Sequence, residues 1–279
     1  MRTLKIIMAA VLILLMTAET MAYPFDGYLY TGIKRLLRLQ LVMSGAIKDQ
    51  KPKTGAQKSI EDIHLNLMNA RGDSLSTFPA PDPVLQKAIN ALFPRMDESY
   101  SLCVLEITEG KPLRYAYRQD KRGFMPGSVA KLAVASALFS ELQKIHPDSF
   151  EKRQEVMRNR MVRAGKWGNT DSHTVPFYDI ETQKLVKKVV QEDDTFSLYE
   201  WADHMLSVSN NGAASVVWRE LILMRQFGND YPELTESQAN DFFKSTPKSE
   251  LQRLEVLVVN EPLQSVGISQ DEWRLGSMF

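Results

Sequence analysis

Apolar residues are concentrated in two long segments whose spacing predicts helices. In residues 124–139, FMPGSVAKLAVASALF, apolar side chains lie around most of the helix circumference, so we expect a helix buried on nearly all sides. Three polar residues, Ser128, Lys131 and Ser136, interrupt this segment. A lysine in the first turn of such a helix is unusual, because lysine is almost never fully buried without a partner.

The second segment, residues 195–228, predicts two helices joined by a polar turn. Ser197 and Glu200 have the spacing of a capping box, which marks a helix start. The inner side of this helix is expected to carry Leu198, Trp201, Ala202 and Met205. The sequence SVSNNG then forms a loop, and a second helix covers about residues 213–227.

Shorter patterns precede the first long segment. Residues 101–108 and 112–118 read as two strands, and the intervening EGK has the length of a hairpin connection. Upstream, Asp82 follows a proline-rich boundary and is placed to cap a helix over residues 83–93.

The N-terminal part of the chain carries no recognisable chemistry. Its pattern allows an amphipathic helix with Lys34, Arg35 and Arg38 exposed, followed by a charged loop over residues 48–59. We treat residues 23–78 as an N-terminal extension of unknown role.

Residues 146–194 are charged and irregular. They predict a surface helix within residues 147–165 and a small hairpin around residues 177–190. Asp171 and His173 could form a metal-ligand pair, but no third ligand has a suitable spacing, so a hydrogen bond within the loop is favoured.

Composition narrows the range of functions. The 279 residues are 44% hydrophobic, with 34 basic and 34 acidic side chains, so the chain can build one large domain or two small ones. The balanced charge gives no long-range attraction to nucleic acid, and no nucleic-acid partner is expected. Cys103 is the only cysteine, which excludes an internal disulfide, and its apolar surroundings predict a small buried hydrophobe.

The first 22 residues have the three parts of a secretory signal peptide. Arg2 and Lys5 precede an apolar run, residues 6–16, and small or neutral residues follow. The run is short for a membrane span, so we expect export to the periplasm or the medium, with an uncleaved anchor as the alternative. No lipid attachment is expected there, because no cysteine follows the run.

The pair Ser128 and Lys131 could support nucleophilic catalysis. Residues three apart on a helix face the same side with Cβ atoms about 5–6 Å apart, which brings hydroxyl and amine together. A buried lysine can be partly neutral and accept the serine proton, and the helix N-terminus stabilises developing negative charge. The alternative is that Lys131 extends from the helix end to solvent.

The same Ser-x-x-Lys spacing occurs twice more, at Ser149 with Lys152 and at Ser245 with Lys248. Both copies lie in polar stretches, where a solvated lysine keeps its ordinary proton affinity and is no base at neutral pH. A second polar insertion supports the first copy: Ser209 and Asn211 lie two apart in the interhelical turn and could project into one cleft. The alternative is that Ser209, Asn210 or Asn211 merely caps the next helix.

Taken together, these motifs resemble those of a known family. Ser128-Val-Ala-Lys131 follows FMPG and two predicted strands, and Ser209-Asn210-Asn211 follows SLYEWADHML and precedes GAAS. They are similar to the first two motifs of the penicillin-recognising serine hydrolases, which include class A β-lactamases and low-molecular-weight penicillin-binding proteins. The resemblance covers about residues 83–228.

The resemblance implies a fold and a set of roles. The fold would be α+β, of the β-lactamase/transpeptidase-like type, with a helical subdomain and an antiparallel sheet flanked by helices; residues 79–279 would form a partial domain. Ser128 would be the acylated nucleophile, with its own N–H as half of an oxyanion hole, and Lys131 its proton acceptor. Ser209 would relay a proton to the leaving nitrogen, and Asn211 would bind the acyl side chain. No cofactor or metal is implied.

The sequence departs from the family pattern after the second motif. The third motif, Lys-Thr-Gly on a late edge strand, has no counterpart there, and the KTG at residues 53–55 is read as coincidence. The sequence therefore looks like the front part of a longer protein. Its two strands would form an open-edged sheet, so this part alone is expected to fold poorly and to be inactive.

The family's deacylating glutamate also has no clear equivalent. Glu250 and Glu261 lie in about the right region, but neither is followed by an asparagine four residues later. Acylation is therefore better supported than turnover. The expected activity is an exported serine acyl-enzyme hydrolase acting on a β-lactam or a cell-wall peptide amide.

Several rival functions remain open. They are a D,D-peptidase or penicillin-binding protein that deacylates slowly, a serine-dependent glutaminase, which export argues against, and a non-catalytic envelope scaffold. A Lys-Thr-Gly-like strand further along the gene would favour catalysis over the scaffold.

Overall fold

The computed structural model describes residues 24–53, 58–62, 70–76, 79–92 and 99–276. The chain divides into two units, Met1–Ile60 with Gly127–Phe279, and Glu61–Pro126. The predicted signal peptide, residues 1–22, lies outside the described residues, and so do two residues of the early KTG sequence.

Ten α-helices occur within the described ranges. They are α1 (Tyr28–Thr31), α2 (Lys34–Ser44), α3 (Ala70–Asp73), α4 (Pro83–Leu92), α5 (Lys131–Ile145), α6 (Phe150–Asn159), α7 (Leu198–Ser207), α8 (Asn211–Phe227), α9 (Glu236–Ser245) and α10 (Lys248–Ser265). Short 3₁₀-helices cover Ile60–Asp62, Ser74–Ser76, Gly127–Ala130, Gly165–Thr170 and Gly228–Glu233.

The strands pair as three antiparallel two-stranded sheets in the described part of the chain. They are β1 (Leu102–Glu106) with β2 (Arg114–Arg118), β3 (Met161–Arg163) with β6 (Thr195–Ser197), and β4 (Thr174–Tyr178) with β5 (Leu185–Val189). This mixture of helices and small antiparallel sheets confirms the predicted α+β class.

The smaller unit contains the predicted hairpin and the helix before it. β1 and β2 pair from Leu102 opposite Arg118 to Glu106 opposite Arg114. α4 begins as predicted, because the Asp82 carboxylate accepts the backbone N–H of Leu85 at 2.7 Å. Cys103 is exposed on β1, so the prediction that it is buried was wrong. Its sulfur lies 3.6 Å from the Tyr115 hydroxyl on the neighbouring strand.

The larger unit has a core made by four of its helices. α8 packs against α5, α7 and α10, and α5 also packs against α10. The capping box of α7 is present, with Ser197 and Glu200 bonded reciprocally. All four residues predicted for its inner side are buried, and Leu198, Trp201 and Met205 are completely so. The predicted surface helix and hairpin appear as α6 and the β4–β5 pair.

α5 is buried on one side only, which corrects the prediction of burial all round. Ala137 and Leu138 are fully buried, whereas Leu132 is 63% and Phe139 57% exposed. The exposed residues recur at helical spacing and include Ser136, so they form a single stripe. The high apolar content of the segment concealed this division, because both faces carry apolar side chains.

Ion pairs hold the N-terminal segment to the rest of the larger unit. Arg35 contacts Asp203 at 2.5 Å and Lys34 contacts Glu200 at 3.5 Å, both on α7. The third predicted basic residue, Arg38, pairs with Asp49. All three are partly buried, so the expectation that they are simply exposed was wrong. No helix in the described ranges is long and apolar enough to cross a bilayer.

Candidate active site

Ser128 lies at the start of a helical segment, as predicted. It occupies the 3₁₀-helix Gly127–Ala130, which runs directly into α5, and it is exposed. Gly127 has a φ of 51°, a backbone conformation that glycine adopts without a steric penalty. The amide of Ser128 belongs to the first turn, where N–H groups have no partner within the helix and can bind an anion.

Lys131 is the first residue of α5 and is only 7% exposed. Its side chain therefore does not extend to solvent, which was the alternative to a catalytic role. The amine Nζ lies 3.4 Å from Ser128 Oγ, 3.0 Å from Ser209 Oγ and 2.7 Å from Asn211 Oδ1. It also donates to the backbone carbonyl of Ser209. Every contact is with a neutral oxygen.

The three polar residues of the turn between α7 and α8, Ser209, Asn210 and Asn211, make different contacts. Asn210 is the helix cap, since its Oδ1 accepts the N–H of Ala213 at 2.6 Å and its side chain is fully buried. Capping by Asn210 leaves Ser209 and Asn211 available to contact Lys131. The Ser209 hydroxyl also donates to Ser128 Oγ at 2.9 Å. The four residues predicted from the two motifs therefore form one hydrogen-bonded cluster.

Ser209 has a φ of 57°, which is uncommon for a residue other than glycine. Residues in this region cost about 1–3 kcal/mol and are found most often at functional sites. The left-handed conformation allows both the hydroxyl and the carbonyl oxygen of Ser209 to reach the same amine.

Burial changes the proton affinity of Lys131. Removal from water lowers the pKa of the Lys131 amine below its usual 10.5, and the negative charge of Asp171 opposes this by raising it. The net direction is down. A lowered pKa increases the fraction of neutral amine near pH 7, which is the form that can accept a proton.

A pocket of about 230 Å³ opens beside the cluster. Ser128, Lys131 and Asn211 form its polar end, and Val134, Trp218 and Leu275 are among its apolar walls. A small apolar pocket with a few convergent polar groups is typical of ligand sites. Its volume suits one substituent of a substrate rather than a whole substrate.

The other Ser-x-x-Lys copies have structural roles. Ser149 is the N-cap of α6 and accepts the backbone N–H of Lys152 at 3.1 Å. Ser245 donates to the carbonyl of Asp241 at 2.7 Å. Lys152 and Lys248 are exposed, in agreement with the prediction that both lysines are solvated.

Asp171 and His173 form the predicted loop hydrogen bond. The ring Nδ1 of His173 lies 2.6 Å from one Asp171 oxygen, and the other oxygen accepts the backbone N–H of Asn211 at 2.5 Å. Across residues 24–276, where described, no group of three or more His, Cys, Asp or Glu side chains could hold a metal ion. Asp171 thus joins the site through Asn211.

The two glutamates considered for deacylation are engaged elsewhere. Glu250 pairs with Arg253 at 2.7 Å, and Glu261 bonds Lys144 at 2.7 Å and also contacts Arg225. Lys144 is at the opposite end of α5 from Lys131, about 20 Å along the helix axis. Neither carboxylate therefore contacts the cluster.

Close glycine packing holds the turn against the preceding loop. A Cβ atom added at Gly212 would lie 2.3 Å from the carbonyl oxygen of Gly168. A Cβ at Gly168 would lie 2.8 Å from the Cβ of Ala164. Only glycine permits this approach between the start of α8 and the 3₁₀-helix Gly165–Thr170.

Sequence reasoning missed several contributors to the site. Asp171 was considered as a metal ligand or a loop hydrogen-bond partner but not as part of the site, and Trp218 and Leu275 were not connected with the pocket. Asp171 precedes the turn by 40 residues, so no local pattern links it to Asn211. The sequence offered one signal that another chain segment packs closely against this turn. Gly212 directly follows Asn211, and a glycine at the start of a helix can mark a close backbone approach.

The chain matches no family model, no curated protein and no solved structure.

Proposed function

We propose that this protein is a serine acyl-enzyme hydrolase in which Ser128 is the nucleophile and Lys131 its general base. The observation that carries the proposal is the position of the Lys131 amine, which is buried and surrounded by neutral oxygens within reach of an exposed serine hydroxyl. A solvated lysine at this position would be protonated and could not activate the serine.

Acylation follows from the contacts of the cluster. As the neutral amine of Lys131 accepts the Ser128 proton, the Oγ attacks the carbonyl carbon of an amide. The oxyanion that forms lies beside the N-terminal N–H groups of the helical segment, which include that of Ser128. The amide C–N bond then breaks as a proton reaches the leaving nitrogen, and the acyl group remains on Ser128 as an ester.

Ser209 is suited to deliver that proton. Its hydroxyl contacts both the Lys131 amine and the Ser128 oxygen, so a proton taken up by Lys131 can pass through Ser209 to the leaving group. Asn211 presents its Oδ1 to Lys131, which leaves its NH₂ group to donate to an acyl side chain.

The substrate class we propose is a β-lactam or a cell-wall peptide amide, by the similarity of the two motifs to those of penicillin-recognising enzymes. Slow deacylation is favoured within this class, because Glu250 and Glu261 make ion pairs away from the cluster. Without an activated water the ester persists. The protein would then bind penicillin covalently rather than destroy it.

A stoichiometric label tests the proposal more directly than turnover. The full-length gene product is incubated with a fluorescent penicillin, and the adduct is located by intact mass and peptide mapping. We expect one adduct on Ser128 that persists for hours, and none in Ser128→Ala. An equal adduct in Ser128→Ala would remove this serine from the mechanism, and a wild-type protein without adduct would contradict the proposal.

The chain offers its own matched control. Ser245→Ala removes the serine of another Ser-x-x-Lys sequence, at an exposed helix end where its hydroxyl donates to the carbonyl of Asp241. This variant should label like the wild type. Loss of labelling in both variants would indicate a general effect on folding instead of the loss of a nucleophile.

A further inference from the structure

Asp171 is a buried carboxylate at the edge of the candidate site. Its side chain is 5% exposed, and its oxygens accept hydrogen bonds from three groups. These are the backbone N–H of Asn211 at 2.5 Å, the backbone N–H of His173 at 3.0 Å and the His173 ring at 2.6 Å. Such a carboxylate is expensive to bury unless it is fully hydrogen-bonded, as this one is.

We propose that Asp171 is a positioning residue of the site: its carboxylate fixes the Ser209–Asn211 turn beside Lys131 and places a negative charge near the amine, to which it is linked through Asn211. This inference rests on the proposed function for its catalytic meaning, but its structural content can be tested separately.

The positioning argument follows from two bonds made by one residue. Asn211 donates its backbone N–H to Asp171, and its side-chain Oδ1 accepts a hydrogen bond from the Lys131 amine. The loop is secured from the other side, because Asn210 donates its NH₂ to the carbonyl of His173 at 2.9 Å. Movement of Asp171 would therefore displace Asn211, and with it an acceptor of the lysine amine.

The charge argument follows from what else faces Lys131. In the described part of the chain, α5, the 3₁₀-helix before it and the turn before α8 contribute neutral groups, namely Ser128, Ser209 and Asn211. Asp171 is the charged group that acts on the amine, and His173 is the titratable group in contact with Asp171. Burial lowers the pKa of Lys131, and Asp171 limits the decrease.

Asp171 remains charged in the pH range where the lysine works. Burial by itself would raise the pKa of its carboxyl, but hydrogen bonds from the amides of Asn211 and His173 and from the His173 ring bring it below its usual value. The negative charge beside the turn is therefore constant around neutral pH. Replacing it with an amide should make Lys131 easier to deprotonate.

Two substitutions of Asp171 separate its role in holding the turn from the effect of its negative charge. Asp171→Asn keeps a carbonyl oxygen for the Asn211 amide and loses the charge, whereas Asp171→Ala loses both. Asp179→Asn is the matched control, because Asp179 also accepts a backbone N–H in a loop, from Thr182 at 2.8 Å, and lies in the β4–β5 turn. All three are compared with the full wild-type chain.

The readout is the titration of Lys131 by NMR of isotope-labelled lysine, assigned with Lys131→Met. We expect Asp171→Asn to lower the Lys131 pKa further, because the substitution removes a nearby negative charge from a partly buried site. Asp179→Asn should leave it unchanged. In Asp171→Ala the amide of Asn211 should also exchange with solvent at least ~10-fold faster.

The outcomes distinguish the inference from the proposed function. An unchanged Lys131 pKa in Asp171→Asn, with the fold intact, would overturn the charge role, and unchanged Asn211 exchange in Asp171→Ala would overturn the positioning role. A wild-type protein that fails to label with penicillin while Lys131 shifts as expected would contradict the proposed function alone.

Discussion

At the scale of single residues, the site depends on two backbone features that most residue types do not tolerate well: a left-handed conformation and a close approach between two chain segments. Ser209 holds a φ of 57°, and Gly212 lies against the Gly168 carbonyl without room for a Cβ atom. Both features bring the turn to Lys131. They also give predictions that separate stability from activity.

Ser209→Gly should stabilise the fold and weaken the chemistry. Glycine adopts a positive φ without the steric cost of about 1 kcal/mol, so the free energy of unfolding should rise or stay level. The variant has no hydroxyl for the relay, so penicillin labelling should fall at least ~10-fold. Ser209→Ala is the comparison, since it loses the hydroxyl and keeps the strain. Normal labelling of both variants would refute the role of Ser209.

Gly212→Ala should destabilise the larger unit. The added methyl would lie 2.3 Å from a backbone oxygen, which cannot move as a flexible side chain can. We expect a loss of about 1–3 kcal/mol in denaturant unfolding, the usual cost of overpacking. Gly276→Ala provides the control, because a Cβ there meets nothing within 4 Å. Equal stability of the two variants would show that this close approach is absent.

At the scale of elements, α5 combines two different faces in one apolar sequence. Leu138 is fully buried against the core, whereas its neighbour Phe139 is 57% exposed. Its first residue, Lys131, belongs to the buried side. The face that anchors the helix in the core therefore also carries Lys131, the proposed base.

Leu138 and Phe139 provide a direct test of this division. Leu138→Ala should cost about 2–5 kcal/mol of unfolding free energy, because it leaves a cavity in a packed core. Phe139→Ala should cost less than ~1 kcal/mol, as a largely exposed side chain loses little contact. Chemical denaturation of both variants measures the difference. Equal costs would mean that α5 is buried all round, as its composition alone suggests.

At the scale of the whole molecule, the sequence predicted the elements better than their packing. Local signals such as the Ser197–Glu200 capping box and the Asp82 cap identified where helices begin, because these contacts span three residues. The motifs predicted that Ser128, Lys131, Ser209 and Asn211 lie together, since helix and turn geometry restrict where such side chains point, and the four are hydrogen-bonded to one another.

Contacts between distant segments could not be predicted in this way. Arg35 binds Asp203 across 168 positions, and Asp171 binds Asn211 across 40. Neither pair has a local pattern, because the separation is set by the path of the whole chain. The exposure of Leu132 and Cys103 was misjudged for the same reason: burial depends on which neighbours are present.

The pH dependence of stability is a further property of the whole fold. His204 is buried between Phe196 and Trp201, and burial lowers its pKa from 6.5 to about 4, with Asp203 opposing and Arg35 and Lys34 assisting. Near pH 6, His204 is therefore largely protonated in the unfolded chain and largely neutral in the folded chain. The contribution of neutral His204 is complete above pH 6.5 and is lost as the pH falls towards 4.

His204→Phe isolates this effect from the other ionisable groups. Relative to this variant, the wild type should lose about 3 kcal/mol of unfolding free energy between pH 8 and pH 4. Denaturant unfolding of both proteins across this range measures the difference. A difference that does not change with pH would mean that His204 titrates equally in both states.

The most direct test of the central claim is the pH dependence of Ser128 acylation. If neutral Lys131 is the base, the second-order rate of penicillin labelling should rise about tenfold per pH unit below the lowered lysine pKa and then level off. Lys131→Met should label at least ~100-fold more slowly and without this rise. A wild-type rate that shows no rise at any pH at which the protein is folded, or a Lys131→Met variant that labels normally, would contradict the account.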